Sequence, residues 1–356
     1  MAVDDALVAA VDRVASAYQA KQIALAGRAA NVVVGLWRGV NPASMSASWG
    51  GVSVAAFTTV QRAQFVMAAN ADPYIESVAG AFGGVSLTDA PLTAGAFAGV
   101  ASDGRSLAGL LLTGPVTAKQ AIAAGFSEGD AMDAGAAALR TAVETQVAEA
   151  GSMANMVSMF MRDTVPPSWA NIQSDNGRTM IRGDDGSVKP YFRPAKYVRM
   201  CQGGACSRCV VLAGSVYYND TAFARHPRCH CVNIPVDEDV AGYKATNPKE
   251  WFDSLSDEAR VKTFGKAGAD AIEAGADMSQ VVNARRGMYV TKGGLEATTE
   301  GTTKRGLFGV SNGNYSASAL SRGVTLKRMM PEEIFRLANG NREEAIRLLR
   351  QYSYIR

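Results

Sequence analysis

The sequence predicts an α+β fold: a mainly α-helical N-terminal half, then a small α+β module with β-hairpins, then a basic tail that ends in a helix. Hydrophobic residues make up 47 % of the 356 residues and charged residues only 19 %, so packed cores can form and general disorder is excluded. Apolar positions recur at helical spacing up to about residue 165, whereas turn-forming clusters separate short β-rich pieces beyond it. We therefore expect three domains, at 1–165, 166–290 and 291–356.

Residues 1–165 have the pattern of successive helices in an alanine-rich domain. Near the start, Val11, Ala15 and Tyr18 follow an apolar stripe with three- and four-residue spacing. Proline and glycine breaks interrupt the helical pattern at 41–42, 71–73, 83–84, 104 and 114–115. The last helix is predicted to begin at a cap within Ser127–Asp130 and to end before Pro166.

The second domain is predicted to combine short strands with helices. Its β-rich pieces are Thr179–Arg182, Tyr197–Met200, Val210–Leu212, Val216–Tyr218 and Cys231–Pro235. The third and fourth pieces are predicted to pair as a hairpin. Helices resume at Asn247, which can cap a first turn, and Pro248 fits the first helical position. Further helices are expected at 256–266, 267–274 and 278–285.

The third domain is predicted to be a flexible basic tail with one terminal helix, Pro331–Tyr352. The formal net charge is −4 over residues 1–160, 0 over 161–280 and +7 over 281–356. Basic tails commonly bind phosphate backbones, although a solvated arm without a ligand is the alternative. The side chains that we expect to contact DNA are Arg285, Arg286, Lys304, Arg305, Lys327 and Arg328.

Neither the N-terminus nor any apolar run predicts a targeting or membrane segment. Acidic Asp4 and Asp5 stand where a secretory signal would carry basic residues before an apolar block. The longest apolar runs, such as Val32–Trp37, are much shorter than the roughly 18 residues of a membrane span. We therefore expect a protein made in a reducing compartment, where clustered cysteines are more often metal ligands than disulfides.

All five cysteines and both histidines lie within 31 of the 356 residues. Cys206 and Cys209 form a Cys-x-x-Cys pair, whose turn presents two thiolates to one ion. After 16 further residues, His226 and Cys229 repeat the spacing, and Cys231 follows two residues on. This pattern predicts a closed, tetrahedral and therefore structural Zn²⁺ site with Cys206, Cys209, His226 and Cys229 as ligands and Cys231 as the first substitute.

Cys201 and His230 rank below these five as zinc ligands. In a strand, Cys229 and Cys231 face one side and His230 faces the other. Two alternatives to the metal stay open. One is a pair of disulfides, which requires an oxidising medium. The other is a redox or nucleophilic cysteine in the Cys-x-x-Cys pair, although the module lacks the βαβ setting of thioredoxin-like proteins.

Several motifs around the cluster follow an order typical of one family. They are Cys206-x-x-Cys209, His226-Pro227-x-Cys229-x-Cys231, Trp251-Phe252-x-x-Leu255, the block Lys266–Gly287 and the stretch Arg336–Gly340. This order resembles the phage Mu protein F-like domain of the minor head proteins of tailed phages, and actinobacteriophage members are especially similar. The resemblance covers about residues 195–290 well and the later tail loosely, whereas residues 1–160 match only in being helical and alanine-rich.

The resemblance implies a structural minor capsid protein that lies inside the virion and is assembled in the host cytoplasm. Family members associate with the portal during procapsid assembly, in few copies or as an oligomer, and some contact DNA. For this chain it therefore implies the portal and other head proteins as partners and a role in procapsid assembly or in DNA packaging and delivery. The basic tail agrees with a non-specific contact with packaged DNA.

A capsid maturation protease and a zinc-module DNA-binding protein are the alternatives. A Ser-His-Asp protease needs a histidine outside the cysteine cluster, and the sequence has none, although a Ser-Lys dyad stays formally open. The match Gly309-Val-Ser311-Asn-Gly313 lacks the strand and helix that a nucleophile elbow needs. Fused ADP-ribosyltransferases use a Glu-x-Glu pair, which does not occur after Gly287. We therefore expect no catalytic residues, and the predicted hairpin leaves no recognition helix between the ligands.

Overall fold

The computed structural model describes residues 5–164, 172–175, 178–182, 186–201, 205–221, 223, 225–237, 247–303, 306–311 and 327–355. Over these residues the fold is α+β, as the sequence predicts. Long helices come first, and small antiparallel sheets accompany shorter helices after them. No helix in this described part combines the length and the apolar character needed to cross a membrane.

The helices and strands have the following bounds. The helices are α1 (Asp5–Trp37), α2 (Met45–Ala68), α3 (Ala71–Ala81), α4 (Leu107–Leu110), α5 (Thr113–Ala123), α6 (Glu128–Thr164), α7 (Ser207–Leu212), α8 (Pro248–Ser254), α9 (Asp257–Phe264), α10 (Lys266–Glu273), α11 (Met278–Ala284), α12 (Leu307–Ser311), α13 (Pro331–Ala338) and α14 (Arg342–Gln351). The strands are β1 (Ile172–Asp175), β2 (Arg178–Arg182), β3 (Val188–Pro190), β4 (Lys196–Met200), β5 (Val216–Tyr218), β6 (Val232–Val236), β7 (Met288–Val290), β8 (Glu296–Thr298) and β9 (Arg328–Met329). Neighbouring strands are antiparallel in the orders β1-β2-β3, β5-β4-β6 and β7-β8-β9.

The chain divides into two compact units. The first unit comprises residues 1–203 and 214–245, and the second comprises 204–213 and 246–356.

Helix α6 is the central helix of the first unit and contacts α1, α2, α3 and α5. Its fully buried residues Leu139, Val143 and Val147 recur every four residues, because that spacing keeps them on one face. Near the start of α6, the Trp37 Nε1–H donates to the Met132 carbonyl oxygen at 2.9 Å. The Trp37 ring also packs edge-on against Trp49, with 5.7 Å between the ring centroids.

Gly135 lets α6 approach Trp37 closely. A Cβ atom at position 135 would lie 2.6 Å from the Trp37 Cζ2 atom and 2.9 Å from the Gly114 carbonyl oxygen. We expect Gly135→Ala to lower the free energy of unfolding by about 1–3 kcal/mol, since overpacking outweighs the better helix propensity of alanine. Urea unfolding followed by circular dichroism measures this change.

The matched control is Gly129→Ala on the same helix, where the nearest atom to an added Cβ is the Ser127 Oγ at 3.9 Å. This control should be neutral or stabilising by up to about 1 kcal/mol. A Gly135→Ala protein as stable as the control would show that the close approach does not limit this packing.

The sheet β5-β4-β6 of the first unit is attached to its helices through Asn233 on β6. The Tyr74 hydroxyl of α3 donates to the Asn233 carbonyl oxygen at 2.9 Å. The Asn155 side-chain amide of α6 donates to the Asn233 side-chain oxygen at 3.1 Å. Both contacts are buried, so they hold β6, the strand that directly follows Cys231, against α3 and α6.

The predicted hairpin between Val210 and Tyr218 is wrong in its first half. Val210 lies in helix α7, and only Val216–Tyr218 forms a strand, which pairs with β4 rather than with its predicted partner. Val210 is fully buried in the core of the second unit, beside residues such as Phe252 and Ile272. Tertiary burial therefore overrides the β propensity of the valines.

The second unit contains the described part of the predicted tail. Strand β8 pairs with β7 and β9, and the apolar faces of α13 and α14 join one core with α10 and α11. These segments are packed rather than free, which corrects the prediction of a flexible tail for them. The single predicted terminal helix is two helices, because Asn339 adopts a left-handed conformation and Asn341 caps α14 through a bond to the Glu344 amide.

Candidate metal centre

Two of the cysteines lie at the ends of neighbouring strands. The antiparallel register pairs Met200 of β4 with Val232 of β6, so Cys201 and Cys231 occupy the next opposed positions. Both side chains are buried, and their sulfur atoms are 3.3 Å apart. Cys201 therefore contacts Cys231, but it belongs to neither group of possible metal ligands among the described residues. The strand register explains this contact.

Cys206 and Cys209 lie on one turn of helix. Cys206 has extended backbone angles as the N-cap of α7, and its carbonyl oxygen accepts a bond from the Val210 amide at 3.1 Å. Cys209 follows in the first turn and is buried. The three-residue spacing places the two thiols on the same side of this turn, as the Cys-x-x-Cys prediction requires.

The remaining ligands lie on the loop before β6. The Cys229 amide donates to the His226 carbonyl oxygen at 3.0 Å, and Arg228 takes a left-handed φ of 59° to close this turn. The His226 Nδ1 atom is 2.8 Å from the Pro227 carbonyl oxygen. If Nδ1 carries the proton, this contact is a hydrogen bond, and Nε2 is then the ring nitrogen that can bind a metal ion.

Two groups of three residues bring their ligand atoms within 4.8 Å of one another among the described residues. The first group is Cys206, Cys209 and His226, and the second is Cys209, Cys229 and Cys231. A tetrahedral zinc ion with bonds of about 2.3 Å keeps its sulfur ligands roughly 3.8 Å apart, so both groups have suitable dimensions. The cluster can therefore hold a metal ion, and all five predicted ligands belong to it.

Arg225 fixes the ligand loop to helix α6. Its guanidinium donates to the Cys229 carbonyl oxygen, to the Ala148 carbonyl oxygen at 3.3 Å and to the Ser152 hydroxyl. The Arg225 Nε atom lies 3.7 Å from the carboxylate of Glu149. The sequence did not reveal this role, because a lone arginine beside a histidine has no distinctive spacing.

Two further contacts hold the same loop. The Gln19 side-chain amide of α1 donates to the His230 carbonyl oxygen at 2.6 Å. The Arg228 backbone amide donates to the Thr145 hydroxyl at 3.1 Å. Together with Arg225, these bonds hold the loop in position. Residues around a metal site commonly orient the ligands in this way.

Burial dominates the electrostatics around the loop. It raises the pKa of Glu149, an effect that Arg225 opposes and Cys229 reinforces. Burial lowers the pKa of the His230 imidazole, whose ring belongs to neither ligand group.

The six predicted DNA contacts have different surroundings. Arg328 is buried and its guanidinium bonds to the carbonyl oxygens of Tyr352, Ser353 and Glu300, so this prediction is wrong. Arg285 forms an ion pair with Glu332 at 2.9 Å. Arg285 itself is exposed, and so are two further predicted contacts, Arg286 and Lys327. Two others lie outside the described residues, namely Lys304 and Arg305.

The serine of the Gly-x-Ser-x-Gly match lies in helix α12, which ends at Ser311. A nucleophile elbow instead places its serine directly after a strand. Comparisons with protein-family models, with curated proteins and with solved structures find no match for this chain.

Proposed function

We propose that the cysteine cluster binds one structural Zn²⁺ ion through Cys206, Cys209, His226 and Cys229, with Cys231 as the substitute ligand. The main support for this proposal is that Cys209 belongs to both groups of neighbouring ligand atoms. Thiolates with at most one imidazole in a tetrahedral arrangement favour zinc over calcium or magnesium, which prefer oxygen ligands.

The surroundings of the cluster fit a structural ion. Cys209, Cys229 and Cys231 are buried, and four protein ligands leave no coordination position for water or substrate. When bound, the ion would supply cross-linking free energy to a small module of short strands and a short helix. Arg225 and Gln19 would hold the ligand loop in place for it.

We further propose that this chain is a structural minor head protein of a tailed phage, similar to phage Mu protein F. Its support is the motif order from Cys206 to Gly340 together with the cysteine cluster. In this role it lies inside the capsid near the portal, in few copies or as an oligomer, and aids procapsid assembly or DNA packaging and delivery. Both histidines serve the cluster loop rather than a protease site in this proposal.

Non-specific contact with packaged DNA is part of the same proposal. Its support is the net charge of +7 over residues 281–356, where Arg286 and Lys327 are exposed. Arg328 takes no part in it, because its guanidinium is used inside the second unit.

Mass spectrometry of purified virions from a phage that encodes this chain tests the head assignment. We expect the chain in DNA-filled heads at a low and constant ratio to the portal. Deletion of its gene should reduce assembled or infectious particles while the major capsid protein is still processed. Absence of the chain from particles would contradict the proposal, and a loss of capsid processing would favour the protease alternative.

A further inference from the structure

The C-terminal half of α6 leaves an apolar stripe uncovered by the described residues. Met153, Val157 and Phe160 are spaced by four and three residues, which places them on one face of the helix. Their exposed fractions are 46 %, 42 % and 46 %. The opposite face of α6 is buried against the other helices of the first unit, so this stripe is not needed for that packing.

The stripe forms one wall of a cleft of about 630 Å³ within the first unit. Phe223 and the partly buried Met156 also line the cleft. A volume of roughly 300–1,000 Å³ with mostly apolar walls is typical of ligand and peptide sites. Flexible methionine side chains suit such a site, because they adapt to the shape of a partner.

The exposed charge at the cleft is acidic. Asp220 is exposed at its edge, and Glu149 stands one helical turn before Met153 on the same face of α6. The only cation among the described lining residues is Arg225, whose side chain is 1 % exposed and whose guanidinium bonds to Cys229 and Ser152. Its Nε atom also lies 3.7 Å from the Glu149 carboxylate, so this ion pair balances the charge of Glu149. A partner therefore meets an apolar wall beside one exposed carboxylate, that of Asp220.

We propose that this cleft binds an amphipathic, basic α-helix of a partner protein. From Glu149 to Phe160 the wall is about 16 Å long, which matches three turns of a helix. Apolar residues at i, i+4 and i+7 of the partner would cover the stripe, and a lysine or arginine one turn away would lie by Asp220. This inference goes beyond the head-protein proposal and depends neither on it nor on the metal.

A fluorescein-labelled, amidated peptide of about 18 residues, with leucines on one helical face and lysines on the other, tests the proposal. Fluorescence anisotropy of this peptide titrated with the full chain gives the affinity. We expect Val157→Lys to weaken binding at least about tenfold, since it removes apolar contact and repels the lysines. Asp220→Asn should weaken binding about two- to threefold and reduce its salt dependence.

The matched control is Val54→Lys, which changes an exposed valine on α2 of the same unit and should leave binding unchanged. A peptide with glutamate in place of each lysine should bind at least about tenfold more weakly. Equal effects of the two valine variants would place binding outside this cleft. Equal binding of the two peptides would overturn the charge argument. Self-association of the chain that Val157→Lys abolishes would identify a second copy as the occupant instead.

Discussion

Cys209→Ser is expected to release the bound metal ion and to destabilise the protein more than any other single change at the cluster. Cys209 is buried and is the one residue shared by both ligand groups, so its loss leaves neither group with three ligands. Structural zinc contributes about 10–16 kcal/mol of apparent binding free energy in small zinc domains. We expect the free energy of unfolding to fall by about 4 kcal/mol or more.

Metal analysis of the purified chain and thermal unfolding measure these two effects. The wild type should contain about one zinc ion per chain, and a strong chelator should lower its Tm. The chelator should not lower the Tm of Cys209→Ser further. If that variant does not fold, the zinc content of the wild type and its response to the chelator still test whether the chain binds a structural zinc ion.

His230→Gln is the matched control, because His230 lies in the same loop but in neither ligand group. It should keep its zinc and nearly all of its stability. A wild-type chain that folds fully without metal would contradict the zinc proposal. Loss of zinc from His230→Gln would show that the ligand set is wrong.

Arg328→Met is expected to have the second largest effect and to lower the free energy of unfolding by about 3–5 kcal/mol. The Arg328 Nε atom donates to the Tyr352 carbonyl oxygen at 2.8 Å, and Nη2 donates to the Ser353 carbonyl oxygen at 3.1 Å. Nη1 donates to the Gln280 side-chain oxygen at 3.1 Å. Methionine fills most of the volume but leaves these buried acceptors without a donor.

Lys327→Met is the control for this change. Lys327 precedes Arg328 in the chain and is exposed, so its loss should change stability by less than about 0.5 kcal/mol. Urea unfolding of both variants gives the comparison. Similar small effects for the two variants would mean that the Arg328 contacts do not support the second unit.

The sequence predicted well the features that repeat or that have strict spacing. Helix α6 runs from Glu128 to Thr164, close to the predicted cap and proline, because a long periodic stripe and two end signals agree. The five predicted metal ligands meet because their spacing is itself the chemical requirement.

Features that depend on the tertiary environment could not be predicted in the same way. The short valine-rich piece after Cys209 has strand propensity, but burial of Val210 in a helical core decides its structure. Arg328 looks like a member of a basic patch, since a sequence does not show that backbone carbonyl groups surround it. The break at Asn339 and Gly340, by contrast, follows a helix stop signal that the sequence displays.

The interleaved order of the two units bears on how fragments of this protein behave. Residues 204–213 belong with the second unit, yet 214–245, which come later in the chain, complete the first. No single cut yields both units intact. A fragment that stops at residue 245 retains Val210 without Phe252 and Ile272, and a fragment that starts there lacks Val210. During synthesis, the cysteine pair on α7 therefore emerges before the apolar core to which that helix belongs.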